Sequence, residues 1–366
     1  MELKQYVLSK ETDKILVQGR IGKITDRGIP LFWTGSALEV NITGTKMWFT
    51  YDCDDNPGGM YLRIEIDGAD IARFVVERGE HRVCAFIGLE AEKIKNVRIY
   101  REMQATTPVI TIKTIETDGE LCPPTARKHK IEFIGDSVTA GEGLSGSPCH
   151  LNWAPFVFSS RGNYALLTAK AFDADYNIVA LSGWGIHCSW SNNINEVMSR
   201  QYPYVCKIAN YSGGVAAGSQ EEYDFVNDKT DIVVVNLGTN DCGAFGSKPW
   251  IDENGTPHKH ELGEDGKPCE RDYLLIKNAL IDFCKEIRKT RPDAYIFWCY
   301  NILRTTINDI VVDGIEEFRK TENDNKAFAF KLPMSCSAGS REHPGTLSHA
   351  KYAESLIEQI KEVVDL

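Results

Sequence analysis

Along the chain the spacing of apolar positions changes character near residue 120. Before that point, residues 46–52 (KMWFTYD), 60–67 (MYLRIEID), 71–77 (IARFVVE), 81–87 (HRVCAFI) and 95–102 (KNVRIYRE) are short and alternate between apolar and polar, with turn-rich separators such as DDNPGG, DGAD and ERGE. A period of two buries one face of a strand and wets the other, so this stretch predicts an antiparallel sandwich. After it, residues 131–135, 176–181, 231–237, 294–300 and 327–332 are near-continuous apolar runs, the pattern of parallel strands covered on both faces. Helices are predicted between them over 164–172, 273–290 and 314–322, and a last one over 346–364 closes the chain. In 273–290 the residues Leu274, Ile276, Leu280, Ile281, Phe283, Cys284 and Ile287 fall largely on one side, as in an amphipathic cover helix. The expected architecture is multidomain. A small all-β sandwich over 1–120 is followed by a linker over 121–128, where Pro123 and Pro124 interrupt ladder pairing. A three-layer α/β domain with a parallel sheet then runs over 129–366.

Composition narrows the functions open to such a chain. Its 41 Lys and Arg against 52 Asp and Glu leave a net charge of −11, a field that repels polyanions, so no nucleic-acid partner is expected. No apolar run approaches the ~20 residues that cross a bilayer, and no membrane partner is expected. The first twenty residues are charged throughout and lack the apolar core of an export signal; on this reading the chain acts in the cytoplasm. The 11 cysteines are odd in number, widely spaced and without a C-x-x-C pair, which predicts free thiols. Cys188, Cys206, Cys284 and Cys299 sit among apolar neighbours and read as core. Oligomeric state is not legible.

In a doubly wound sheet the chemistry gathers in loops leaving the carboxyl ends of the strands. After the first such strand stands Gly135-Asp136-Ser137, a serine at a tight strand-to-helix turn, which suits either a nucleophile or a helix cap. Ser182-Gly183-Trp184-Gly185 follows the second strand, and its glycines allow a backbone N–H to approach a ligand or simply a turn. Gly238-Thr239-Asn240-Asp241 follows the third and offers a side-chain amide donor, with an acid able to bind backbone N–H groups. Near the end, Ser340-Arg341-Glu342-His343 supplies an imidazole, the usual partner of a serine nucleophile.

With these four blocks in this order, the second domain resembles the SGNH (GDSL-like) hydrolases, named for a Ser, Gly, Asn and His in separate blocks: here Ser137, Gly183, Asn240 and His343. The β-domain ahead of it resembles the jelly roll of carbohydrate esterase family 2, whose members remove acetyl groups from plant polysaccharides. The resemblance implies a serine esterase acting on acetylated carbohydrate, with Ser137 as nucleophile, His343 as base, and Ser137, Gly183 and Asn240 as the oxyanion hole. No cofactor and no metal are expected. Trp184, with Asp136 and Asp241, is expected to bind substrate; Trp153, Trp190 and Trp250 are further candidates for stacking on sugar rings.

One departure from the family pattern stands out. The Asp that usually lies three residues before the histidine is Ser340 here, and two before it lies Arg341. Glu342 is adjacent, where its carboxylate reaches the ring only awkwardly. A Ser-His dyad is therefore expected, the imidazole held by a main-chain carbonyl, because any well-placed acceptor can fix the tautomer. The polar insert at 247–268 carries His258 and His260 in an H-x-H spacing able to bind zinc, yet its charged, turn-rich sequence predicts a solvated loop. Other readings of the same residues are an acyl thioesterase, a lysophospholipase-like enzyme, or a carbohydrate-binding protein with weakened catalysis.

Overall fold

The structure, a computed structural model, describes residues 2–53, 58–104 and 108–364. The chain divides into two units. The first contains residues 1–127 together with 152–160 and 204–223, and the second contains the remainder.

In the first unit the strands are β1 (Lys4–Val7), β2 (Ile15–Gln18), β3 (Ile29–Leu31), β4 (Ala37–Ile42), β5 (Lys46–Cys53), β6 (Tyr61–Ile66), β7 (Ala69–Val75), β8 (Gly79–Ile87), β9 (Lys95–Arg101), β10 (Ile110–Thr117) and β11 (Leu121–Cys122). They form two antiparallel sheets, ordered β1-β10-β5-β8 with β3 on β10, and β11-β4-β9-β6-β7 with β2 on β4. Phe49, Ile112 and Ile115 from the first sheet and Leu38, Val40, Leu62 and Ile99 from the second are fully buried. The alternating segments of the sequence became β5 to β9. By contrast β4 is buried at every position, so it shows no alternation to read.

The expected linker is partly strand. Leu121 and Cys122 pair with Ile42 and Asn41, and the unit ends at Arg127. Proline removes a donor but keeps its carbonyl, and Asn41 Nδ2 donates to Pro123 O at 3.0 Å.

In the second unit β12 (His129–Gly135), β13 (Ala174–Ala180), β14 (Ile232–Asn236), β17 (Tyr295–Tyr300) and β18 (Ala327–Lys331) form a parallel sheet ordered β13-β12-β14-β17-β18, while β15 (Trp250–Ile251) and β16 (Pro257–His258) make a small hairpin. Helices α1 (Ser137–Ala140), α2 (Tyr164–Ala171), α4 (Thr239–Ala244), α5 (Glu270–Thr290), α6 (Asn308–Thr321) and α7 (Thr346–Val363) belong to this unit, and α3 (Ser212–Ala216) to the first. The buried side of α5 is Ile276, Leu280, Ile281, Phe283, Cys284 and Ile287, as its periodicity predicts; Leu274 is exposed instead.

Register decides what this sheet presents. Gly135 at the end of β12 lies level with Ala180 of β13 and with Asn236 of β14. The residues that follow in each strand therefore emerge side by side at one sheet edge, at the switch in strand order where doubly wound folds bind ligands.

Candidate active site

Ser137 opens α1 directly after β12. Asp136 caps that short helix, its Oδ1 accepting the Val138 N–H at 3.1 Å. Ser137 Oγ lies 2.8 Å from His343 Nε2, and His343 Nδ1 lies 2.7 Å from the carbonyl oxygen of Arg341. A carbonyl only accepts, so Nδ1 carries the proton and the lone pair of Nε2 faces the serine hydroxyl. The geometry is that of a base aimed at a nucleophile.

The backbone that brings the Arg341 carbonyl under the ring is strained. Arg341 and Glu342 have φ of 55° and 58°, a left-handed conformation that side-chain-bearing residues rarely adopt, least of all twice in succession. The turn is held by named contacts. Arg341 N–H donates to His150 O at 2.7 Å, Ser340 Oγ to Ser145 O at 2.7 Å, and the Arg341 guanidinium pairs with Glu142 at 2.5 Å. Glu142 is 1% exposed, and its other oxygen lies 3.8 Å from His343 Nε2. A buried carboxylate thus stands beside the imidazole on the nitrogen opposite the one an orienting Asp would occupy. Sequence reasoning missed Glu142; the one hint was an acid between two glycines immediately after the serine block.

Gly183 follows β13 with φ of 85°, and Trp190 packs against it, so that a Cβ there would sit 3.1 Å from the indole. Trp190 is 58% exposed, whereas Trp184, the expected sugar platform, is only half-buried and gives its carbonyl to Asn240 Nδ2 at 2.8 Å. The second contact of that amide is Asp136 Oδ2 at 3.3 Å. Ser137, Gly183, Asn240 and His343 are thereby assembled from four separate loops.

Asp136 and Asp241 require correction as substrate-binding residues. They are 1% and 0% exposed. Asp241 spends its carboxylate on the N–H groups of Ile186 and His187, both at 2.8 Å, and of Cys188 at 3.2 Å, which fixes the loop after Gly183. Asp136 caps α1 and touches Asn240. Burial pushes its carboxyl up to about 7, the Val138 N–H opposes this, and the nearby Asp241 and Glu142 push the same way as burial.

The insert also departs from expectation. It contains the β15–β16 hairpin, where His258 contacts Asp252 at 3.0 Å, and it places His260 in the interior at 3% exposure, beside His187. Cys188, Cys206, Cys284 and Cys299 are buried as expected.

A match to the GDSL-like lipase/acylhydrolase family spans residues 133–330, more than half of the chain. The chain belongs to that family. An acetyl xylan esterase from the rumen bacterium Butyrivibrio proteoclasticus superposes with a TM-score of 0.95 at 36% identity, covering 99% of this chain and 98% of that one. The "Acetylxylan esterase / glucomannan deacetylase" of Cellvibrio japonicus is 22% identical over 98% of this chain and 92% of its own length. The "Cellulase/esterase CelE" of Acetivibrio thermocellus is 26% identical over 95% of this chain, which spans 39% of that relative's length. A carbohydrate esterase of family two from Clostridium thermocellum, in complex with cellohexaose, shares the fold with a TM-score of 0.79 at 24% identity. The likeness to the Butyrivibrio esterase runs over the whole length of the chain, not over the hydrolase unit alone.

Proposed function

We propose that the chain is a carbohydrate O-acetyl esterase that works through an acetyl-enzyme on Ser137, with His343 as its sole side-chain base. The observation that carries this reading is the Ser137–His343–Arg341 carbonyl line, at 2.8 and 2.7 Å. His343 Nε2 takes the serine proton as Oγ attacks the ester carbonyl, then gives it to the departing sugar oxygen as the C–O bond breaks, releasing the sugar hydroxyl. Water repeats the sequence on the acetyl-enzyme and frees acetate. The main-chain carbonyl does what the family's Asp usually does: it fixes the tautomer and ring orientation. Glu142, near the imidazolium that forms, supplies the charge that a carbonyl lacks.

The oxyanion falls to the N–H groups of Ser137 and Gly183 and to the Asn240 amide, each donor contributing roughly 3 kcal/mol to lowering the barrier. Asn240 must release one contact to do so. The longer one, to Asp136, is the weaker of the two.

For the substrate, the exposed face of Trp190 beside Gly183 supports a flat pyranose ring next to the scissile ester. The relatives named for acetyl xylan and glucomannan support acetylated xylo- or manno-oligosaccharides. Acetate release from acetylated xylan, acetylated glucomannan and simple acetyl sugars, set beside 4-nitrophenyl esters of increasing acyl length, tests the proposal. Faster turnover of long acyl esters than of acetyl carbohydrate would favour a lysophospholipase-like or thioesterase activity and sink it.

A further inference from the structure

Away from Ser137, three metal-binding side chains converge without any part in the chemistry above. His187 and Cys188 lie on the loop after β13, and His260 lies in the insert between β16 and α5. One nitrogen of each histidine and the Cys188 sulfur all fall within 4.8 Å of one another. His187 Nδ1 faces His260 Nε2 at 3.2 Å. Two nitrogens bound to one tetrahedral zinc at about 2.05 Å each would stand about 3.3 Å apart, so the imidazoles already have the separation of a ligand pair.

The surroundings hold them that way. His260 Nδ1 lies 3.3 Å from Asp272 Oδ1, the carboxylate–histidine arrangement that leaves Nε2 free to bind a cation. Asp272 is itself fixed by the Glu261 N–H at 2.6 Å and by Arg271 at 2.8 Å. The backbone N–H of His260 donates to Asn192 Oδ1, and Asp241 holds the N–H groups of His187 and Cys188. A cavity of about 180 Å³, lined by His187, Cys188, His258, His260, Arg271 and Asp272, opens onto the cluster and leaves room for a water as fourth ligand.

We infer that His187, Cys188 and His260 form a zinc(II) site, oriented by Asp272, that clamps the insert to the loop carrying Gly183. On binding, the proton between the two imidazoles leaves His187 Nδ1 and is replaced by one on His187 Nε2, so that both rings bind as neutral ligands, and the Cys188 thiol gives up its proton to solvent as the thiolate bonds to the metal. Two nitrogens and one sulfur suit zinc rather than calcium or magnesium. The site is a structural brace and takes no step in ester hydrolysis.

The test uses the whole chain, stripped with chelator and titrated with zinc chloride against a chromophoric chelator, and separately with cobalt(II) chloride under anaerobic conditions. One equivalent of zinc should be retained. The cobalt form should show tetrahedral d–d bands and a thiolate charge-transfer band. Asp272→Asn should weaken zinc binding about 10–100-fold, and Cys188→Ser and His260→Ala more than that, with Cys188→Ser also losing the charge-transfer band. Failure of the wild-type protein to retain zinc, or a cobalt spectrum without the thiolate band, would overturn the inference with no variant needed. Binding unchanged in folded His260→Ala would do the same.

Discussion

Gly143 leaves no space for a side chain against His343: a Cβ built on it would lie 2.4 Å from the histidine Cβ, and its φ of 91° disfavours any other residue. The glycine therefore sets how closely the histidine turn approaches the loop behind Ser137. Gly143→Ala should displace the imidazole by a sizeable fraction of an ångström and lower turnover on a small acetyl ester by about 100-fold, with KM little changed. Wild-type turnover in this variant would show that the histidine is not held from that side.

The proposed dyad makes a sharp contrast between neighbours. Ser137→Ala and His343→Ala should each reduce turnover by about a thousandfold or more, while Glu342→Gln costs little, because Nδ1 bonds to the Arg341 carbonyl. Turnover measured near pH 8 on 4-nitrophenyl acetate, with melting temperatures in parallel, makes the comparison. A thousandfold loss in Glu342→Gln at unchanged stability would establish Glu342 as a third catalytic member.

Glu142→Gln tests the buried charge near Nε2. It keeps the shape, removes the ion pair to Arg341 and removes the anion near the imidazolium. A drop of about ten- to a hundredfold in kcat is expected, with KM and the melting temperature little changed. A merely structural role would lower the melting temperature in step with the activity.

Trp190→Ala should separate binding from chemistry. The expected outcome is a KM for acetylated oligosaccharide raised about tenfold, equivalent to about 1.4 kcal/mol of lost stacking, with kcat on 4-nitrophenyl acetate unchanged. Trp184, half-buried and tied through its carbonyl to Asn240, should show the opposite pattern. Equal effects of Trp190→Ala on both substrates would remove the tryptophan from the sugar site.

Stability in acid should carry the mark of His349. This residue is fully buried, its Nδ1 accepting the Tyr164 N–H, and burial, reinforced by nearby His343, lowers its pKa to about 3. The unfolded chain takes up a proton there near pH 6.5, whereas the folded one resists until about 3. The stability contributed by the neutral ring is thus complete above pH 6.5 and is lost as pH falls towards 3, by at most about 1.4 kcal/mol per unit. Denaturant unfolding of the wild type and His349→Gln between pH 7 and 4 should converge on that slope; parallel curves would refute it.

Much of the site was legible because its residues sit where buried parallel strands end, and such strands announce themselves as apolar runs. Ser137, Gly183 and Asn240 each follow such a strand, and His343 precedes the last helix. What escaped was set by tertiary approach. Glu142 and Arg341 are 199 residues apart in sequence, and nothing local in either foretells their ion pair. Asp136 and Asp241 read as available acids because sequence shows their chemistry but not that backbone N–H groups consume it. His260 looked solvated for the same reason: its neighbours are charged, while its burial comes from His187, 73 residues away, and from Phe245 ahead of the insert. In the β unit, β4 and the two-residue β11 lacked the alternation that reveals a half-exposed strand.

The division of the chain has a consequence for synthesis on the ribosome. The β unit takes in residues 152–160 and 204–223, and these are not decoration. Glu102, fully buried, receives Ser159 Oγ at 2.8 Å and the Ser160 N–H at 3.1 Å, and Trp33 Nε1 donates to Val205 O at 2.8 Å. A nascent chain that has reached Arg127 has all of its sandwich strands but still lacks these partners for two fully buried side chains. At about 5–20 residues per second, the wait for Tyr223 lasts roughly 5–20 s, during which β12 and β13 of the hydrolase sheet have already been made. Neither unit is born finished before the other begins, and a fragment ending at Arg127 should be a poor stand-in for the domain it nominally contains.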